Sequence, residues 1–142
     1  MIIAFCGSTD FYDDMDAIQA QLESYGYTIH HPRIGSEQIA GMGEYRDPSH
    51  KDNMDPAARK TKLNLIKSHL EVIKESDAVL IFNNEKKGQT NYIGGNSFLE
   101  MGFAFAFDKE IFILNDIPQN SYTDEITGML PVVLKGDLSR FA

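Results

Sequence analysis

The 142-residue chain lacks the features that mark several common protein classes. Its one cysteine, Cys6, excludes an intrachain disulfide, and it has neither an apolar run long enough to span a bilayer nor a signal-like start. Basic residues number 13 against 21 acidic ones, and a net charge of -8 opposes binding to nucleic acid polymers. We therefore expect a cytoplasmic protein that binds a small molecule, with no membrane or nucleic acid partner.

Motifs for common cofactors are also missing. No G-x-x-x-x-G-K-[ST] phosphate loop occurs, and only one glycine follows the first apolar run, so the dinucleotide fingerprint G-x-G-x-x-G is absent. The four histidines lack metal-ligand spacing, and adjacent His30 and His31 would point to opposite faces of a strand. Cys6 ends an apolar run, which is more typical of a core residue than of a nucleophile. We expect no cofactor and no metal.

Short apolar runs alternate with helix-length patterns along residues 1–142, which we interpret as a single domain. The predicted strands are residues 2–6, 27–30, 78–82, 111–114 and 132–134. Helical spacing is expected before Gly26, from Pro56 to about residue 73, around Glu100, and over residues 122–129. This alternation predicts a small doubly wound α/β domain, with a parallel sheet and helices on both faces.

Ligands of such sheets bind beyond the carboxyl ends of the strands. Five segments should meet at that rim: residues 7–8, 30–31, 83–84 and 115–116, and the loop before Glu100. The polar, irregular segment Arg33–Asp55 is expected to be either a lid over the rim or a mobile insertion.

Glu100 is the strongest candidate for chemistry. It is the only charged side chain between Ser97 and Phe107, and it follows the glycine-rich turn Gly94-Gly95-Asn96, which could admit a ligand. One interpretation is a carboxylate placed for catalysis in the first turn of an apolar helix. The other is structural, because Ser97-Phe98-Leu99-Glu100 matches the capping box S-x-x-E. The two interpretations are compatible.

Other candidates have equally plausible structural roles. Gly7 and Ser8 could accommodate a phosphate or a sugar hydroxyl, or Ser8, Thr9 or Asp10 could simply cap the first helix. Asn83 and Asn96 could bind polar ligand atoms, although asparagine is an ordinary turn residue. His69, near the end of the long helix, could be solvated or could reach the rim.

Three blocks of the sequence resemble a known family. They are Phe5-Cys6-Gly7-Ser8, Ser76-Asp77-Ala78-Val79, and the run GGNSFLEMGFA over residues 94–104. They are similar to blocks of the nucleoside 2-deoxyribosyltransferase-like superfamily, which includes the 2'-deoxynucleoside 5'-monophosphate N-glycosidases. The resemblance implies a flavodoxin-like sheet of order 2-1-3-4-5 and cleavage of the bond between base and deoxyribose. It also implies that Glu100 is the nucleophile and that Gly7 and Ser8 belong to the substrate site.

Two points stay open at this stage. Compared with the monophosphate-hydrolysing branch, the chain has Ala4 in place of a tyrosine and His69 in place of an aspartate, and no loop serine precedes Gly94. The acid that protonates the departing base is open, with His69 and Asp77 as the best local candidates, although Asp77, at the start of the third strand, is more typical of a structural hydrogen-bonding residue. The alternatives to base transfer are hydrolysis of a nucleoside monophosphate, hydrolysis of another ribosyl compound such as NAD, and a non-catalytic nucleotide sensor.

The expected substrate-binding set is Gly7, Ser8, Asn83, Gly94, Gly95 and Asn96. The helix that carries Glu100 is apolar nearly all round, whereas a surface helix has one apolar stripe. Part of it should pack on another subunit, so we expect a homodimer or larger assembly.

Overall fold

Five short strands form one parallel sheet in the computed structural model, which describes residues 1–31 and 56–142. The strands are β1 (Ile2–Gly7), β2 (Thr28–His30), β3 (Ala78–Phe82), β4 (Glu110–Ile113) and β5 (Val132–Val133). Their order, β2-β1-β3-β4-β5, confirms the predicted flavodoxin-like arrangement. The predicted lid or insertion, Arg33–Asp55, lies outside the described residues.

Helices cover both faces of the sheet. They are α1 (Tyr12–Ser24), α2 (Pro56–Glu75), α3 (Gly95–Ala106) and α4 (Thr123–Gly128), with short 3-10 turns at Thr9–Phe11 and Ser139–Phe141. The first face is packed by α1 and the C-terminal turn, and the second by α2, α3 and α4. Within these described ranges no helix has the length and apolar content needed to cross a membrane.

The continuous apolar runs of β1 and β3 follow from burial on both faces of the sheet. Alternate residues of a strand point to opposite faces, so Ile3 and Phe5 join one core, while Ala4 and Cys6 join the other. All five residues of β3 are buried. A polar side chain in the middle of either strand would lose its contacts with water, which explains why the runs contain none.

Glycines occupy two positions where the backbone requires them. Gly26 ends α1 with a φ of +94°, and its amide donates to Glu23 O at 3.0 Å, as predicted for a C-terminal stop. At Gly7 a β-carbon would lie 2.9 Å from the β-carbon of Phe82. The carboxyl ends of β1 and β3 therefore approach each other too closely for a larger residue at position 7.

Candidate active site

A cavity of about 230 Å³ lies at the carboxyl end of β1, between α2 and the start of α3. We call it the Glu100 cavity. Seven of the nine expected site residues line it: Gly7, Ser8, His69, Gly94, Gly95, Asn96 and Glu100. The convergence of segments on this rim was predicted from the strand order, and the cavity is lined by two of the five predicted segments, residues 7–8 and the loop before Glu100.

Glu100 lies in the second turn of α3, and its side chain is only 9% exposed. The helix begins at Gly95 with Gly94 as its N-cap, and no side chain caps it. The capping-box interpretation is therefore wrong, as is the placement of Glu100 in the first turn. Because Gly94 supplies the cap position with backbone alone, Ser97 falls inside the helix and the Glu100 carboxylate is left for other partners.

His69 is the partner of that carboxylate. Its Nδ1 lies 2.5 Å from Oε1 of Glu100, which joins the last part of α2 to α3. A carboxylate oxygen accepts in such a contact, so the ring donates through Nδ1–H, and this bond does not involve Oε2 or the second ring nitrogen Nε2. His69 was expected either to be solvated or to reach the rim, and in the structure it reaches the rim.

Cys6 lies buried at the end of β1, beside this pair. Burial raises the pKa of its thiol well above the ordinary value, and the charge of Glu100 and hydrogen bonding to that carboxylate raise it further. Cys6 is therefore a protonated thiol at neutral pH. The prediction that it belongs to the core is confirmed.

Two lysines at the Glu100 cavity were missed from the sequence. Lys86 Nζ donates to Ser8 Oγ at 2.8 Å and lies 3.5 Å from an oxygen of Asp10. Lys62 Nζ donates to Asn96 Oδ1 at 2.8 Å. The sequence did hold a signal for Lys62. It lies one helical turn before Ile66 and two turns before His69, so the three side chains share one face of α2.

Ser8 caps a turn and also lines the cavity. Its hydroxyl accepts from the amide of Asp10 at 3.3 Å, so it caps the 3-10 turn that precedes α1 and not α1 itself, whose N-cap is Phe11. The same oxygen accepts a hydrogen bond from Lys86 Nζ at the wall of the cavity.

The other two expected residues lie away from the cavity. Asp77 precedes β3 at the opposite end of the sheet, where its Oδ2 accepts from the amide of Ile2 at 2.6 Å. Asn83 is fully buried, and its amide joins the loops after β3 and β4 by donating to Asp116 O and accepting from Asn115 N, both at 2.8 Å. Both side chains therefore bond to neighbouring segments of the chain and do not face the Glu100 cavity.

No group of three or more His, Cys, Asp or Glu side chains in the described ranges is arranged to hold a metal ion. The polar residues that line the Glu100 cavity instead supply one carboxylate, one imidazole, two ammonium groups, the phenol groups of Tyr12 and Tyr92, and the hydroxyls and amides of residues 8, 9 and 94–97. This set is suited to a ligand with sugar hydroxyls or an anionic group.

Comparison with known proteins relates the chain to others through its structure. No protein-family model and no curated protein sequence matches it. A 2-deoxyribosyltransferase from the psychrotolerant bacterium Bacillus psychrosaccharolyticus is similar with a TM-score of 0.52 and 16% identity, over 80% of this chain and 71% of that one. A CMP N-glycosidase from Clostridium botulinum is similar with a TM-score of 0.51 and 14% identity, over 94% and 85% of the two chains. At these identities the likeness shows the fold, and it agrees with the resemblance read from the three sequence blocks.

The position of Cys6 predicts a thiol that is inert in the folded protein. We expect Ellman's reagent at pH 8 to modify it roughly a hundredfold more slowly than in the urea-unfolded chain, because the group is both buried and protonated. Since the chain has one cysteine, absorbance of the released thiolate reports this site alone. Equal rates in the folded and unfolded protein would contradict the assignment.

Proposed function

We propose that the protein cleaves or transfers at the N-glycosidic bond of a nucleoside or nucleotide, with Glu100 as the nucleophile. The observation that carries this proposal is a nearly buried carboxylate that faces a cavity and is held by an imidazole at 2.5 Å. A buried carboxylate is costly, and one placed at a cavity is a strong candidate for function. The fold of the chain supports the same chemistry, because it is shared with two enzymes named for deoxyribosyl transfer and N-glycoside cleavage.

The reaction follows from the charge that develops on the sugar. As the bond from C1' to the base nitrogen breaks, its electron pair leaves with the base, and the ring becomes positively charged. Oε2 of Glu100 stabilises that charge and bonds to C1', giving a glycosyl ester, while the departing base takes up a proton from solvent, which the attacking water or base later returns. Water or a second base then attacks C1' from the face that the first base left, the ester bond breaks, and the carboxylate is restored. Two inversions give net retention at C1'.

His69 fits an orienting role in this scheme. Its Nδ1 holds Oε1 of Glu100, the residue that lines the cavity. An imidazole engaged with the nucleophile in this way is poorly placed to protonate a base that departs on the opposite side of the sugar. We therefore assign His69 to positioning Glu100. Asp77 has no part in the reaction, since it lies at the other end of β3.

Replacing the carboxylate should abolish turnover without loss of the fold. We expect Glu100→Gln to lower base release from its best substrate roughly a thousandfold or more, because the amide cannot form the ester. The amide oxygen can still accept from His69, so the far-UV circular dichroism should match the parent. The measurement is chromatography of products from deoxynucleosides, ribonucleosides and their monophosphates.

Glu71→Gln is the matched control for charge, because Glu71 is exposed on α2, two residues after His69. It should release base at the parent rate. Unchanged turnover in Glu100→Gln would end the proposal. Saturable nucleotide binding by the parent protein with no base released would favour the sensor alternative.

A second candidate function, hydrolysis of nucleoside 5'-monophosphates, is favoured by the two ammonium groups at the cavity. Lys86 and Lys62 approach it from the loop after β3 and from α2. The free amides at the start of α3 add partial positive charge beside Gly94 and Gly95. A phosphate placed between these groups would find donors from three segments of the chain. These two cations lie together at the cavity although the net charge of the protein is -8.

Removing one ammonium group tests that candidate. We expect Lys86→Met to lower kcat/KM for a nucleoside monophosphate by roughly tenfold or more, because a charge-assisted hydrogen bond is lost, and to change kcat/KM for the nucleoside little. Lys87→Met is the matched control, since Lys87 is the exposed neighbour and does not line the cavity. Equal losses on the two substrates would show that the lysine does not bind phosphate.

The chain also exposes apolar residues along α3, and we propose that a second copy covers them. Leu99 and Phe105 are 41% and 53% exposed, and Gly102 lies between them on the same side of the helix. No charged residue occurs on α3 apart from the buried Glu100, so copies with a net charge of -8 could associate there without direct repulsion. Leu99 also lines the Glu100 cavity, so this interface would border the site.

Sedimentation velocity at micromolar concentration should give a dimer or larger species for the parent protein. Phe105→Asp should shift it toward monomer, because a carboxylate would be desolvated at the interface. Leu130→Asp is the control, since Leu130 is 83% exposed but follows α4. A parent protein that sediments as a strict monomer would contradict the interface.

A further inference from the structure

A second cavity, of about 560 Å³, shares Tyr92 with the Glu100 cavity as a lining residue. Its walls are residues 89–93, from the loop after β3, and residues 117–120 with Tyr122, from the loop after β4. We call it the Tyr122 cavity. Its volume falls within the range of roughly 300–1,000 Å³ that is typical of small-molecule sites. The proposed chemistry at Glu100 makes no use of it.

The first wall is held by backbone hydrogen bonds. Lys86 and Gln89 exchange two backbone bonds, of 3.0 and 2.9 Å, across a tight turn, and the amide of Tyr92 donates to Asn84 O at 3.0 Å. Asn91 has a φ of +56°, a conformation that asparagine tolerates better than most residues. The wall is therefore formed before any ligand binds.

The second wall is fixed by Thr123. Its hydroxyl donates to Pro118 O at 2.7 Å and accepts from the amide of Asn120 at 2.8 Å. Tyr122 ties this wall to α3, because its hydroxyl donates to Ile93 O and its ring stacks on Phe98 with centroids 4.5 Å apart. Two preformed walls lower the entropy cost of binding a ligand between them.

The chemistry of the lining differs sharply from that of the Glu100 cavity. No lining residue of the Tyr122 cavity carries a charge. In the described part of the chain, the side-chain amides of Gln89, Asn91 and Gln119 make no hydrogen bond to another residue, and each offers both donors and an acceptor. The rings of Tyr92 and Tyr122 add aromatic surface. An anion or a cation would find no counter-charge here, whereas a flat neutral molecule with donors and acceptors on its edges would be complemented.

We propose that the Tyr122 cavity binds a neutral, flat heterocycle with hydrogen-bonding edges, the chemical class of the free nucleobases. The site is distinct from the reaction at Glu100 and does not require it. A base bound here would contact Tyr92, which borders both cavities, and Ile93, which precedes the N-cap of α3. The proposal can therefore hold even if Glu100 proves not to be a nucleophile.

The test is a titration of the isotope-labelled full chain with adenine and with cytosine, followed by NMR. The side-chain amide signals of Gln89, Asn91 and Gln119 should shift in a saturable manner, in the parent and equally in Glu100→Gln. Inorganic phosphate should leave these signals unmoved. Shifts confined to residues 94–100 and His69 would overturn the proposal, because they would place the base in the Glu100 cavity alone.

Two variants separate a built site from a weak surface contact. Asn91→Gly keeps the left-handed backbone and removes the amide, and Gln119→Ala removes an exposed amide. Each should weaken the titration roughly three- to tenfold, the effect of one lost hydrogen bond. Lys87→Met, on the exposed turn that precedes Gln89, should titrate like the parent. Parent affinity in both Asn91→Gly and Gln119→Ala would overturn the assignment.

Discussion

The hydrogen bond between His69 and Glu100 is the constraint on which the candidate site depends. A carboxylate that is 9% exposed needs a partner, and the imidazole supplies one at 2.5 Å. Because the two residues lie on α2 and α3, their contact also fixes how these helices meet above the sheet. The bond engages Oε1, and Glu100 lines the cavity. A single contact therefore serves packing and the proposed chemistry together.

The sheet supplies the rest of the geometry. The close approach of Gly7 to Phe82 brings the ends of β1 and β3 together, and the segments that follow them diverge on either side of the cavity. Ser8 and Lys86 meet across that gap, although they are 78 positions apart in the chain. The loop that carries Lys86 continues into Tyr92, the residue shared by both cavities. One loop thus contributes residues to a cavity with charged groups and to a cavity without them.

Sequence patterns predicted the fold well because burial on two faces demands continuous apolar strands, and β3 was predicted at Ala78–Phe82, the bounds it has. They also indicated that Glu100 would lie at the site, because a single charge in an apolar helix is easily recognised in the sequence. The capping box was wrong because S-x-x-E is a local pattern and Gly94 could end the turn without a side chain.

Lys62 was missed because a lysine on a helix is usually solvated, and its contact with Asn96 spans 34 positions. Asn83 lay at the predicted strand end, but position alone did not tell that its side chain faces Asn115 and Asp116 rather than the cavity.

The central claim is that the Glu100 carboxylate bonds to the anomeric carbon of a sugar. The most direct measurement is mass spectrometry of the protein after rapid acid quench during turnover of its best substrate, followed by proteolysis. The account predicts an added pentosyl mass, with or without phosphate, on the peptide that contains Glu100. Turnover with no adduct at any quench time, or an adduct on a different peptide, would contradict it.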